Sequence, residues 1–338
     1  MDDTIEMVET GTVTGRRRRS PGGGKVTAVL LVVAVPFLLW AALPLASFDG
    51  TRYTSALVAL TPYAVPAGVV IAVAALLLRR WLITLVVGSV TALLVASVLP
   101  RAIPDSPVPV RGRSVTVMAS NTLFGGADAG RIVELVRSHG VDVLALEELT
   151  PGMVEKLNRA GLGKVLPHRV FDAGPGGEGT GIASRYPLRE LSLMRSTTMS
   201  QPSALVDLPG PRDVQFVAVH PMIPVGEGTV DTWEREIAAL PDPAEGRRGP
   251  ARVLAGDFNA TLDHTPLRNL LGQGYSDAAE VTGDGFSPTW PMRGRSLVPP
   301  VTLDHVLTSG DIVTRGYRTF EIAGTDHRAV LAHLAVPS

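Results

Sequence analysis

The amino-acid sequence predicts an α/β domain preceded by three membrane-spanning helices, and three observations carry that prediction. Three stretches near the N-terminus, residues 26–46, 54–78 and 81–100, contain no charged side chain. Beyond residue 113, segments with strand-like and helical patterning alternate to the C-terminus. One strand-like segment after another ends in a polar residue, the pattern of a site assembled at the rim of a sheet. Composition sets the outer bounds. Hydrophobic residues make up 45% and charged residues 19% of the 338 positions, and a charged share below the roughly 25% of soluble domains means either a large core or part of the chain in lipid. That apolar content, with a net charge of −1, excludes disorder over the whole length. Cysteine is absent, which excludes disulfides, thiolate metal sites and a cysteine nucleophile.

The three apolar runs are 21, 25 and 20 residues long, and a helix needs about 20 apolar residues to cross a bilayer core. None shows the polar face at helical spacing that a buried helix of a soluble domain presents. Pro36, Pro44, Pro62 and Pro66 fall inside them, where packed spans tolerate proline. Arg16 to Arg19 and Lys25 precede the first run, Arg79 and Arg80 separate the second from the third, and only Arg52, beside Asp49, lies between the first and second. The positive-inside rule therefore places the N-terminus and the turn at Arg79 and Arg80 in the cytoplasm. Three crossings leave everything beyond residue 100 outside, with Arg101, Arg111 and Arg113 pulling mildly the other way. A cleaved signal peptide is the weaker reading of the first run, which exceeds the usual ~7–15 apolar residues. Residues 1–25 read as a disordered basic cytoplasmic tail held at anionic headgroups, and residues 101–113 as a Pro-rich linker. Residues 114–338 form one domain long enough to bury its own core.

Within that domain, strands are expected at 115–120, 141–146, 214–219, 252–255, 302–308 and 329–334, and helices at 129–139, 153–160, 232–240 and 265–271. Of the 31 Lys and Arg, 8 precede residue 101, and of the 32 Asp and Glu, 5 do, so the remainder carries 23 basic and 27 acidic side chains, a net of −4. Its only lysines are Lys156 and Lys164. A nuclease gripping a phosphate backbone presents a basic face, so this balance argues against nucleic acid as the partner.

The polar residues at the strand ends hold the chemistry. They are Asn121, Glu147, Glu148, His220, Asp257, Asn259, Asp304, Asp326 and His327. Hard oxygen ligands with few nitrogens and no thiolate favour Mg²⁺ or Mn²⁺ over a structural zinc. Phosphoester cleavage needs this inventory: a cation at the phosphoryl oxygens, a base for water, and donors for the developing charge.

In order along the chain stand SN (120–121), LALEE (144–148), TGIASRYPL (180–188), AVH (218–220), GDFNA (256–260), TLDHVL (302–307) and GTDHRAV (324–330). This ordered set resembles the endonuclease/exonuclease/phosphatase superfamily over residues 113–338. The resemblance implies a four-layer αββα sandwich of the deoxyribonuclease I type, with the site at the edge of two packed sheets. It implies Glu148 as metal carboxylate, with Asn121 beside it and Asp326 as a further ligand. Asp257 would orient or deprotonate the attacking water, and Asn259 and His220 would donate to the phosphoryl oxygens. His327 would bind the scissile phosphate or act as acid and base, oriented by Asp304. Two positions depart from the family pattern. The usual LQE reads Leu146-Glu147-Glu148, and strand alternation turns Glu147 away from its neighbour, toward solvent or a supporting shell. Some nucleases of the family carry an acidic residue where this chain has Leu123, which weakens a second-metal or nuclease reading.

Other candidates take plainer roles. His305 reads as a packed neighbour of Asp304, His264 as a helix-entry residue, and the Gly-rich stretch 174–181 as a loop. Trp290 is a pocket wall or a core residue. Three spans followed by a phosphoesterase domain resemble the membrane-anchored VanJ type of actinobacterial teicoplanin-resistance proteins. That resemblance implies a lipid-linked phosphate or pyrophosphate substrate, such as undecaprenyl pyrophosphate, at the outer leaflet. The alternatives are a cell-surface nuclease, a phospholipid phosphodiesterase, or a non-catalytic membrane interaction protein that keeps the fold.

Overall fold

Two six-stranded sheets face each other in the computed structural model, which describes residues 22–106, 112–194, 197–210, 212–243, 251–292 and 298–337. The first sheet is built from β1 (Gly112–Asn121), β2 (Val143–Glu147), β3 (His168–Asp172), β4 (Thr180–Ser184), β11 (Val313–Glu321) and β12 (Arg328–Pro337), in the order β11-β12-β1-β2-β4-β3. The second holds β5 (Leu188–Leu191), β6 (Ser203–Val206), β7 (Val214–Val219), β8 (Ala251–Asp257), β9 (Tyr275–Asp277) and β10 (Asp304–Ser309), in the order β5-β6-β7-β8-β10-β9. The pairs β1–β2 and β7–β8 are parallel, and the other pairings are antiparallel.

Alternation along each strand explains why the sheets stack. Val115, Val117 and Ala119 of β1, Val143 and Ala145 of β2, Phe216 and Ala218 of β7, Val253 and Ala255 of β8, Val306 of β10 and Val330 and Ala332 of β12 fill the space between the sheets. The intervening residues face outward onto helices. Met118, Leu144 and Leu146 pack on α5 (Ala129–Ser138) and α6 (Pro151–Ala160) through Ile132, Leu135, Met153 and Leu157. Val217, Val219, Leu254 and Leu307 pack on α7 (Thr229–Ala238) and α8 (Thr265–Gly272) through Trp233, Ile237, Leu267 and Leu270. The result is helix, sheet, sheet, helix. The helices start where their caps dictate: Asp128 accepts from the Arg131 N–H, and Thr150 from the Met153 N–H. A short helix α9 (Ala278–Val281) follows β9.

The N-terminal region departs from the expected three straight spans. Among the described residues two helices are long and apolar enough to cross a membrane, or three if a bent pair counts as one span: residues 24–45 within α1 (Gly22–Leu45), and residues 81–102, comprising α4 (Trp81–Val98) and a 3₁₀ turn. The middle run is broken into α2 (Arg52–Ala59) and α3 (Thr61–Leu77), which meet at 70°. Proline explains the break. Pro62 has no N–H to continue the helical ladder, and the Thr61 hydroxyl instead donates to the Val58 carbonyl at 2.6 Å. α1, α3 and α4 pack through Ala34, Phe37, Ala41, Ala64, Val87 and Leu94. Gly68 permits this approach, since a Cβ there would lie 2.2 Å from Thr91 Oγ1 and 2.6 Å from the Phe37 ring. Residues 1–21 of the expected basic tail and 107–111 of the expected linker lie outside the described residues.

The bundle is joined to the domain by a polar seam. Arg101 donates twice to the Asp263 carboxylate, at 2.9 and 2.8 Å, and both side chains are buried. His264 accepts at Nδ1 from the Thr261 N–H at 2.8 Å, so Nε2 carries the proton and donates to the Ser55 carbonyl at 3.0 Å. Asp49 accepts from the Thr265 N–H, Arg268 donates to the Pro44 carbonyl, and Tyr63 to the Pro300 carbonyl.

Candidate active site

The site is the open end of the inter-sheet core. Each strand that turns apolar residues inward finishes on a polar one in the same phase: Asn121 after Ala119, Glu147 after Ala145, His220 after Ala218, Asp257 after Ala255. Asp304 opens β10 two residues before Val306 and pairs in register with Asp257, as Glu147 pairs with Asn121. His327 directly precedes β12. Period-two alternation thus delivers five polar side chains to one rim, and the turn before β12 adds His327 as the sixth. Backbone strain gathers there as well. Four of the six non-glycine residues with positive φ, namely Leu123, Phe124, Glu148 and Asn259, border this rim, as expected where loops are held in shape for function.

At its centre stands His327. Nδ1 donates to Asp304 Oδ2 at 2.9 Å, and Nε2 lies 3.7 Å from Asp257 Oδ2. Burial alone would lower the imidazole pKa, but the charges of Asp304 and Asp257 and the hydrogen bond to Asp304 outweigh it and raise it to about 10. His327 is therefore an imidazolium at neutral pH. Ligand atoms of Asp257, Asp304 and His327 come within 4.8 Å of one another, close enough to hold a metal ion, and within the trio the relay is the hydrogen-bonded His327–Asp304 pair, Asp257 standing at ion-pair distance.

Asp257 is fixed on both oxygens: Oδ1 accepts from the Asn259 N–H at 2.8 Å and Oδ2 from the Asn121 amide at 3.1 Å. Burial raises its pKa, against the lowering charge of His327. The same Asn121 amide donates to Glu148 Oε1 at 3.0 Å, while the Phe124 N–H donates to Glu148 Oε2 at 2.8 Å. Asn259 donates from its amide to the Pro221 carbonyl. His220 is buried, and burial lowers its pKa, so the ring is neutral. Asp326 stands slightly apart: one oxygen accepts from the Trp290 indole N–H at 3.2 Å, and Oδ1 has no partner among the described residues. Trp290 lies with its ring 6.5 Å from that of His327, at the wall of the site.

Of the two places expected for Glu147, solvent and a supporting shell, the structure excludes solvent. Its side chain does turn away from Glu148, yet the face it turns to is the inter-sheet interior, where it is fully buried. Neither carboxylate oxygen has a partner among the described residues. Burial, then the charges of Asp304 and Asp257, push its pKa well above the ordinary value, so the side chain is a neutral acid. Gly256 makes the room: a Cβ there would sit 2.1 Å from the Val219 carbonyl oxygen and 2.9 Å from Glu147 Oε1. The signal available in the sequence was the phase shared by Val143, Ala145 and Glu147. His305 and His264 keep their structural roles. His305 bridges Asp277 and the Ala260 carbonyl at 2.8 and 2.9 Å, and His264 serves the seam.

The donor set fits a divalent cation. Carboxylates crowd the rim, Asp304 Oδ1 and Asp326 Oδ1 are buried without partners, and Glu148 is met only by neutral amide donors. Oxygen-rich sets of this kind select hard metal ions.

A model of the endonuclease/exonuclease/phosphatase family matches residues 118–327, more than half of the chain. The chain belongs to this family. Its members are phosphoester hydrolases that generally use divalent metals, and this protein is accordingly a hydrolase acting on phosphate esters. Among solved structures, an endonuclease/exonuclease/phosphatase from Beutenbergia cavernae is 19% identical, with a TM-score of 0.52, over 67% of this chain and 72% of its own. TDP2 from D. rerio with a single-strand DNA product shows 15% identity and a TM-score of 0.48 over 66% of this chain and all but 1% of its own, 99%. Sphingomyelinase C from Streptomyces griseocarneus shows 16% and 0.46 over 65% and 99%. At 19% identity the likeness to the Beutenbergia cavernae structure is one of fold. No curated protein sequence matches the chain.

Proposed function

We propose that the protein is a membrane-anchored, Mg²⁺-dependent phosphoester hydrolase with an extracytoplasmic site, and that its substrate is a lipid-linked phosphate or pyrophosphate, undecaprenyl pyrophosphate first among them. The observation that carries this reading is the seam. Asp263 and His264, four and five residues beyond Asn259, are bound to Arg101 and Ser55 of the apolar helical region, so the site is held against the helices rather than tethered at a distance. A hydrolase so placed meets substrates anchored in the same bilayer. If the substrate is the cell-wall lipid carrier, a contribution to glycopeptide resistance of the teicoplanin type follows.

Glu148 and Asn121, with Asp326 as a further ligand, would hold the metal, which when bound supplies positive charge at the phosphoryl oxygens. Asp257, clamped by Asn259 and Asn121, takes a proton from water as the new P–O bond forms and the bond to the leaving oxygen breaks. The His327 imidazolium donates from Nε2 to the phosphoryl group, while Asp304 holds Nδ1–H and fixes the ring. Asn259 and the neutral His220 supply further donors to the developing charge. On a lipid pyrophosphate the products are orthophosphate and the lipid monophosphate.

The test is phosphate release from undecaprenyl pyrophosphate by detergent-purified protein, with Mg²⁺ and with EDTA, beside Asp257→Ala. Metal-dependent release, reduced in the variant by about 10²–10⁴-fold as for loss of a general base, is the expected result. Cleavage of naked DNA without release from the lipid would replace this reading with a surface nuclease. Equal release by wild type and variant would remove Asp257 from the chemistry.

A further inference from the structure

The 70° bend between α2 and α3 opens a cavity of about 320 Å³ between the helices and the domain. Ala59, Pro62, Tyr63 and Pro66 wall it from the helical side, and Phe286 and Pro300 from the loop between α9 and β10. This is a size typical of small-molecule sites, roughly 300–1,000 Å³. Its charged members, Arg101 and Asp263, are consumed by each other, leaving the arginine's alkyl stem as lining, and the hydroxyls of Thr261 and Thr302 are engaged with His264 and the Ser287 carbonyl.

Two of the lining residues, Thr261 and Val301, lead straight to the site. Asn259 lies two residues before Thr261, and Asp304 three after Val301. Chain length alone therefore keeps this wall within about 11 Å of both site residues, Cα to Cα. In the other direction α3 continues from the cavity into an apolar face, with Val69, Val70, Val73 and Leu77 exposed. Exposed apolar side chains within the domain follow the same geography. Among the described residues beyond 111 they are Phe124, Ile223, Val225, Phe286 and Val298, on loops following Asn121, following His220, and between α9 and β10. Scattered single apolar residues are ordinary, but confinement to the rim of one site marks a surface for an apolar ligand.

We infer that this cavity seats the hydrocarbon chain of the substrate next to its phosphate, so that an isoprenoid phospholipid enters along α3 and presents its terminal phosphate to His327 and Asp257. The inference rests on the lipid-phosphate reading above and adds a binding site for the chain. The occupant is the first isoprene units of a membrane-resident pyrophosphate. An apolar wall of prolines and aromatic rings recognises such a chain by shape and burial and leaves the headgroup to the catalytic residues.

Two variants outside the catalytic machinery test it: Ala59→Trp, which fills the cavity, and Phe286→Asp, which places a charge in its wall. Phosphate release is compared on farnesyl pyrophosphate and on the short-chain methyl pyrophosphate, which carries no isoprene unit, in detergent with Mg²⁺. Both variants should raise KM for the farnesyl substrate by about tenfold or more, the equivalent of about two unburied methylenes, with short-chain turnover unchanged. A photoreactive benzophenone analogue of farnesyl pyrophosphate should label Tyr63 or the 286–301 loop in the full-length protein, and less so in Ala59→Trp. If wild type turns over the farnesyl substrate and both variants match it, the cavity is not the chain seat, while the lipid-phosphate reading stands. Equal losses on both substrates, or labelling confined to other segments, would also overturn the seat. If wild type releases phosphate from neither of these substrates nor from undecaprenyl pyrophosphate, the lipid-phosphate reading falls and the seat with it. If it acts on undecaprenyl pyrophosphate alone, unchanged KM for that lipid in both variants overturns the seat.

Discussion

His327 is pinned between two carboxylates, and the pairing sets its charge. With Asp304 at 2.9 Å on one nitrogen and Asp257 at 3.7 Å from the other, the ring stays protonated to about pH 10. Asp304→Asn removes the larger of the two raising charges. Followed by NMR in metal-free protein, the His327 titration should move down from about 10 toward the ordinary 6.5. A midpoint that stays near 10 would assign the shift elsewhere. Glu147 gives the complementary case. Its folded pKa lies well above the ordinary 4.5, so above about pH 4.5 the unfolded chain has released a proton that the folded chain still holds, and stability falls as pH rises. Glu147→Gln has no such proton. In EDTA, its Tm advantage over wild type should be near zero below pH 4.5 and grow toward neutrality, and a constant offset would contradict the assignment. The two residues also differ in how legible they were. Asp304 and His327 stand in recognisable motifs, TLDH and TDHR. The side that Glu147 faces depends on what lies beyond the sheet, and one strand's pattern carries no information about the second sheet.

At the scale of elements, the strands that were readable are those whose inward residues are uniformly apolar, such as β1, β2, β7 and β8. The helices on the outer layers were readable for the same reason. Strands β3, β4, β5, β6, β9 and β11 escaped notice for local causes, β4 because it begins inside the Gly-rich stretch 174–181. β9 has three residues, β5 carries Arg189 and Glu190 at its exposed positions, and β11 is broken by a register shift between Thr314 and Gly316. The bend at Pro62 was hidden because apolar composition runs unchanged through 54–78, and hydropathy does not report direction. That bend brings α2 against the domain, where Ser55 meets His264. The adjacent Arg101–Asp263 pair is buried on both sides. Arg101→Ala leaves the Asp263 charge buried and unpaired, which should cost about 3–5 kcal/mol. A lowered Tm for the detergent-solubilised protein checks it, and Arg101→Met combined with Asp263→Leu should recover most of the loss. Equal Tm values for the single variant and wild type would mean that the seam contributes nothing.

For the whole molecule, the seam also bears on topology. The C-terminal end of α1 at Pro44, the N-terminal part of α3 at Tyr63 and the residue Arg101 beyond α4 all touch the domain. Their opposite ends, with Lys25 in the first turn of α1 and Arg79 and Arg80 between α3 and α4, therefore lie together at the far end of the bundle. α3 has 17 residues, about 25 Å of helix, at the short end of what crosses a hydrocarbon core. On this geometry α1 runs toward the domain, α3 away from it and α4 back. The basic residues collect on the side away from the site, as the positive-inside rule requires of a cytoplasmic face. Alkaline phosphatase fused after Arg113 should accordingly be active, and fused between Arg79 and Arg80 inactive, with a cytoplasmic fluorescent reporter giving the reverse pattern. If the bent pair does not cross, two crossings would return residue 113 to the cytoplasm, and the first fusion would be silent. That outcome would move the hydrolase to the inner leaflet and exclude an extracytoplasmic substrate, while leaving the site and its relay unchanged.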